Sequence, residues 1–225
     1  TAALSIPTAR RAHATGPFTL ELQPDASAGQ DAFALLAAPT TNFGTWASFP
    51  VGNTGNVFVT GRALIKFNLS ALPSNAEIVT TTLSLYETAD NATNARTFRV
   101  YRQLRPWGEA EATWNIYATW SAPGGFAACD SEQTEIGSRA MAAVETVGEF
   151  KDVDLTPTTK AGLDLGFGWI IKADVEDLDQ HAFASSDAID SATRPKLTIV
   201  YTIPNTPTAT PTRTATPTST PAPTS

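Results

Sequence analysis

The side chains best suited to chemistry in this sequence are aromatic and charged groups, and the chemistry they suit is recognition rather than bond breaking. Sugars are held by an exposed aromatic ring stacked on the C–H face of a pyranose, with nearby polar groups fixing the hydroxyls. Trp107, Trp114 and Trp120 are spaced so that they could line a groove, although packing beneath a long loop is the competing reading. Trp46, in the turn-rich stretch TTNFGTWASFP, is the better stacking platform, or else the anchor of its loop. Arg99, Arg102 and Arg105 could pair with uronate carboxylates by charge-assisted hydrogen bonds, or with the chain's own acids. The carbohydrate-binding candidates are therefore Trp46, Arg99, Arg102 and Trp107. Asp174, Glu176, Asp177 and Asp179 offer oxygen ligands to a structural Ca2+ within one loop; the spacing lacks the glycine and final glutamate of an EF-hand, and a solvated acidic turn is the alternative.

Catalysis needs a nucleophile, a base and an orienting group, or a pair of carboxylates. His13 stands near the N-terminus, and His181 neighbours Asp179 with no G-x-S-x-G or H-E-x-x-H motif. Glu109 and Glu111 could pair only by an accident of folding. The expectation is a chain with no catalytic residues.

Period-two alternation supplies the elements that would position these groups. In RALIKFN, Ala63, Ile65 and Phe67 point one way and Arg62, Lys66 and Asn68 the other. In IVTTTLSLY the inward set is Val79, Thr81, Leu83 and Leu85, and Phe98 and Val100 alternate with Arg99 and Tyr101. Further strands are expected at 18–22, 31–35, 150–155, 167–173 and 196–202, and a short helix is expected from Thr156 as N-cap, with Pro157 at its first position, to Leu163. About nine strands with one short helix predict an antiparallel β-sandwich, in which each sheet buries one face on the other.

The 225 residues carry 15 Lys and Arg against 22 Asp and Glu, a net charge of −7, which disfavours nucleic acid as a partner. With 42% hydrophobic and 16% charged residues the chain can bury a core, so wholesale disorder and a coiled coil are both excluded. One cysteine, Cys129, rules out an internal disulfide, and no apolar run approaches the roughly 20 residues of a membrane-spanning helix. The chain starts at Thr1, as a processed product would.

Both ends differ from the body. Residues 1–17 read as an extended arm, 18–203 as the sandwich and 204–225 as a Thr/Pro-rich tail that favours polyproline II geometry. The tail suits an extracellular stalk with O-linked sugar on Thr206, Thr208, Thr210, Thr212, Thr214, Thr216, Thr218 and Thr220, or a plain linker. Sequons occur at Asn68-Leu69-Ser70 and Asn91-Ala92-Thr93. An arm that adds to a neighbour's sheet edge makes a heterologous contact and yields a filament. The expected partners are therefore copies of the same chain, through residues 1–16 and 204–225.

The succession Asp31-Ala32-Phe33, Thr41-Asn42-Phe43-Gly44-Thr45, Arg62 to Pro73, Ala76 to Tyr86, Arg105-Pro106-Trp107-Gly108-Glu109 through Trp114-Asn115, Trp120, and Phe183-Ala184-Ser185-Ser186 with Arg194-Pro195-Lys196-Leu197 resembles the DNRLRE domain family, related to carbohydrate-binding module family 96. The likeness runs from about Phe18 to Thr202. It implies a jelly-roll-like sandwich of secreted and surface proteins, often beside polysaccharide-active enzymes, with some members binding acidic polysaccharide and none implied to be catalytic. Two functions are thus expected: first, a secreted or cell-surface fibre subunit joined through its termini; alternatively, a module binding cell-wall or matrix polysaccharide.

Overall fold

Alternating apolar and polar side chains give a strand one face to bury, and paired strands remove their backbone polar groups from water. The computed structural model describes residues 15–53, 60–115, 120–176 and 179–204. The arm through residue 14 with His13, Asp177, and the tail from residue 205 with its eight threonines lie outside the described residues. Eleven strands occur among the described residues: β1 Thr15–Leu22, β2 Gln30–Leu35, β3 Ser48–Asn53, β4 Thr60–Lys66, β5 Glu77–Asp90, β6 Arg96–Arg102, β7 Gly137–Met141, β8 Phe150–Leu155, β9 Trp169–Ala173, β10 Gln180–Ala184 and β11 Lys196–Ile203. Every pairing between them is antiparallel.

Following hydrogen-bonded neighbours from β5 through β10, β3, β4, β9, β6, β7 and β8 leads back to β5, so the ladder closes. Two joins are narrow: β3 meets β4 over two residue pairs and β7 meets β8 over one. The ring is thereby flattened into the two layers of a jelly-roll-like sandwich, with β11 and then β1 added beside β5, and β2 added beside β4. Phe33, Phe49, Ile65, Leu83, Phe98, Trp169, Phe183 and Leu197 fill the space between the layers. Burial of each such side chain is worth about 1.5–3 kcal/mol.

One sheet is covered on its outer face too. Ala32, Leu64, Tyr101 and Ile170 point away from the main core and pack against Trp107 and Ala112 of the long 103–136 connection, with Trp120 and Phe126 at the margin. Gln103 bridges to Ser131, and the buried carboxylate of Asp130 accepts from Ser121 N, Ser121 Oγ and Ala122 N, which keeps this connection folded over the sheet. Arg62, on the outer side of β4, is held by Glu176 through two contacts of 2.7 Å and lies 4.8 Å from the Trp114 ring centre.

Three local expectations are corrected. Val79 points outward at 58% exposure while Ile78 is buried, because a register irregularity opposite Val200 and Tyr201 inserts one residue and shifts the alternation. Helix α1 spans Lys160–Leu163 only, capped by Thr159, whose hydroxyl accepts from Gly162 N, rather than by Thr156. The strands β3 and β7 were not expected, since β3 contains Pro50 and Gly52, and GSRAM of β7 has almost no apolar alternation.

Candidate functional site

A cleft of about 590 Å3 is bordered by the 26–30 turn, the end of β4 with the turn after it, and α1. Its lining is polar, with Lys66, Asn68, Ser70, Gln30, Lys160 and Glu109 among the side chains that face it. Two of these are already committed. Lys160 donates from Nζ to Leu69 O at 2.5 Å and Leu72 O at 2.8 Å, closing the turn, and Glu109 Oε1 accepts from Asp31 N at 3.0 Å. Lys66 makes no ion pair among the described residues and offers the cleft a cation available to an incoming group.

Trp46 lies on the loop between β2 and β3, which reaches the cleft-lining Glu109 through Asn42. The residue is 56% exposed, more than any other aromatic residue among the described ones. T-shaped contacts to Phe43 at 5.1 Å and Phe33 at 5.7 Å fix one side, while Ser185 Oγ donates to Trp46 O at 2.6 Å. Asn42 Nδ2 ties the same loop to the carbonyls of Glu109 and Ala112 at 2.7 and 2.9 Å. Gly44 is required here, since a Cβ at this position would stand 2.2 Å from Glu109 O. Trp46 is therefore anchored by its backbone while more than half of the residue stays exposed.

The other sugar-binding candidates are already engaged within the chain. Arg99 pairs with Glu135, and Arg102 holds Glu132 at 2.5 and 2.9 Å while donating to Gly162 O. Arg105 Nε donates to Cys129 O and lies 3.2 Å from Asp130. Trp107 is buried with its Nε1 donating to Phe167 O at 2.6 Å, and Trp114 is buried under Arg62. Trp107 is thus buried, and Arg99 and Arg102 are ion-paired within the chain, whereas Trp46 is exposed.

The described carboxylates of the acidic loop, those of Asp174, Glu176 and Asp179, are engaged within the chain. Asp174 Oδ1 accepts from Thr97 N and Val175 N, Glu176 is paired with Arg62, and Asp179 is turned inward to Thr93 N, Asn94 N and Arg96. Burial pushes the Asp179 carboxyl up, but the Thr93 and Asn94 hydrogen bonds more than offset it and hold it below the usual range. The acceptor residues of the two sequons, Asn68 and Asn91, are exposed, and Asn68 Oδ1 caps the turn after β4 by accepting from Ser70 N.

Two acidic groupings that the sequence does not reveal come together instead. Glu87, Asp90 and His181 cluster where β5 meets β10, with Glu87 Oε1 and His181 Nδ1 2.6 Å apart. Lys151 of β8 enters this group, 3.4 Å from Glu87, 2.9 Å from Glu145 and 2.7 Å from Glu149, and supplies the countercharge. Asp31, Glu109 and Asp187 form the other group, beside the cleft. Desolvation raises all three carboxyls; that of Asp31 is pushed up to about 7, against the Ser186 N–H bond that lowers it and with the charges of Glu109 and Asp187 adding to the rise.

Residues 23–122 match the sequence profile of Carbohydrate-binding module family 96. Over that stretch the chain is similar to that family. The family-96 match takes in β2 to β6 and most of the outer covering loop, including Trp46, Lys66 and Glu109, and stops before β7. No protein among the curated ones matches the chain.

Proposed function

We propose that this chain is a non-catalytic module that binds polysaccharide of a cell wall or extracellular matrix, in the cleft beside β4 and against the Trp46 ring. The observation that carries the reading is where the family-96 match falls. It includes eleven of the fourteen cleft-lining residues and Trp46, and leaves only Lys160, Asp164 and Gly166 outside. A polar groove with one available ammonium and an aromatic face nearby suits a chain of hydroxyls and ring C–H faces, with Lys66 as the partner for a carboxylate where the sugar is acidic.

The fibre reading rests on residues 1–16 and 204–225, nearly all outside the described residues, and the comparisons lend it no support. Polysaccharide recognition replaces it as the leading function, and an extracellular location follows from that ligand. None of the described helices is long and apolar enough to cross a membrane. Affinity electrophoresis of the full chain through gels containing neutral or acidic polysaccharides, at low and moderate salt, tests the proposal. Retardation by at least one polysaccharide is expected, and equal mobility in every gel would refute it.

A further inference from the structure

Asp31 on β2, Glu109 on the covering loop and Asp187 after β10 each bring a carboxylate oxygen within 4.8 Å of the other two. Two oxygens bound to one calcium ion at about 2.4 Å can lie up to about 4.8 Å apart, so this spacing fits ligands around a common centre. Like charges this close repel, and among the described residues no basic side chain forms an ion pair with any of the three. Arg194 exerts a favourable charge on Asp187, but its Nε donates to Ala188 O. The Glu87–Asp90–His181 group differs in having Lys151 within it.

A second observation comes from atoms that lack partners. Ser186 is 1% exposed and its hydroxyl makes no hydrogen bond, although its N–H donates to Asp31 Oδ2 at 2.7 Å and its side chain lies near enough to favour the ionised Asp31. Asp187 Oδ2 is likewise buried without a partner. Buried polar atoms are rarely left unmet. Here the unmet groups are oxygens beside three carboxylates, which is the donor set of a hard divalent cation.

We infer that Asp31, Glu109 and Asp187, with the Ser186 hydroxyl beside them, bind one calcium-class divalent cation. The ion ties together three segments distant in sequence, and two of them hold the Trp46 loop: Glu109 O receives Asn42, and Ser185 Oγ donates to Trp46 O. Filling the site therefore stiffens the loop that carries the exposed ring. The inference stands on its own donor set and does not depend on polysaccharide binding.

The test uses the full chain, stripped with EDTA and titrated with CaCl2 alone by calorimetry and thermal melting. One ion per chain is expected, and free Ca2+ at 100 times Kd should shift the folding equilibrium about 100-fold. Asp187→Asn and Glu109→Gln should each weaken Ca2+ binding at least about tenfold, the loss of one charged ligand. In EDTA both variants should melt at or above the parent, because repulsion is relieved. Absence of binding up to about 10 mM Ca2+, beyond the range of dedicated sites, would overturn the inference. So would parental Ca2+ affinity in both variants, or variants that melt well below the parent in EDTA.

Discussion

Replacing Lys151 by Met tests how the sandwich tolerates charge in its interior. The Lys151 side chain is 1% exposed, and its ammonium faces Glu87, Glu145 and Glu149. Glu87 is fully buried and, among the described residues, has His181 as its other side-chain partner, with Asp90 3.6 Å from the same imidazole. Methionine matches the aliphatic stem, so the change removes charge with little loss of volume. It leaves Glu87 in low dielectric with no ammonium beside it. Removing one partner of a buried pair costs about 3–5 kcal/mol, against about 0–1 kcal/mol for an exposed one. For a domain of this size each kcal/mol moves the midpoint by about 2–4 °C, so a fall of about 6–20 °C is expected. Urea and thermal unfolding, followed by tryptophan fluorescence, measure it. The double variant Lys151→Met with Glu87→Gln should recover part of the loss, since the orphaned charge is gone. A drop below about 1 kcal/mol would show that the ammonium reaches water and that the network is a surface one.

Other outcomes follow from the same structure. Trp46→Ala should weaken polysaccharide binding about tenfold, as one ring contact of about 1–1.5 kcal/mol is lost, without changing the secondary structure seen by circular dichroism. Lys66→Ala should weaken binding of uronic-acid polysaccharides about tenfold or more at low salt and leave neutral ones unaffected, because a hydrogen bond to a charged group contributes about 1.5–3 kcal/mol; affinity gels with both glycan types check it. Asp179, held below its ordinary value of 3.8, contributes stability that is fully present above that pH and lost as pH falls through the lower folded-state value. Midpoints measured from pH 7 to pH 2 should therefore fall steeply at the acid end for the parent, and Asp179→Asn should be less stable at neutral pH with a shallower acid decline.

The strands were legible wherever one face alone is apolar. Ala63, Ile65 and Phe67 alternate as expected and reach the core, as do Phe98 and Val100. Leu64, Ile170 and Tyr101 carry a further message, since apolar residues on the opposite face mark a sheet covered on both sides, here by the 103–136 connection. The misplaced Val79 shows the limit of strict alternation, because a bulge is set by the partner strand and leaves little trace in its own sequence. Among the candidate residues, Trp46 stood out because its turn-rich surroundings provide no strand face to bury it. The partners of Arg99 and Arg102 lie 36 and 30 residues away, and only the folded covering loop brings Glu135 and Glu132 to them. Asp31, Glu109 and Asp187 are farther apart still; Asp31 meets Glu109 across 78 residues and Ser186 across 155, a juxtaposition that no spacing in the sequence suggests.

The central claim is that sugar lies in the cleft beside β4 and on Trp46, and hydrogen–deuterium exchange with and without the polysaccharide that most retards the protein tests it most directly. The account predicts slowed exchange at residues 26–30, 43–46 and 66–70, with β6 and the Arg99–Glu135 pair unchanged. Protection confined to the β6 face, or no protection anywhere at saturating polysaccharide, would contradict it.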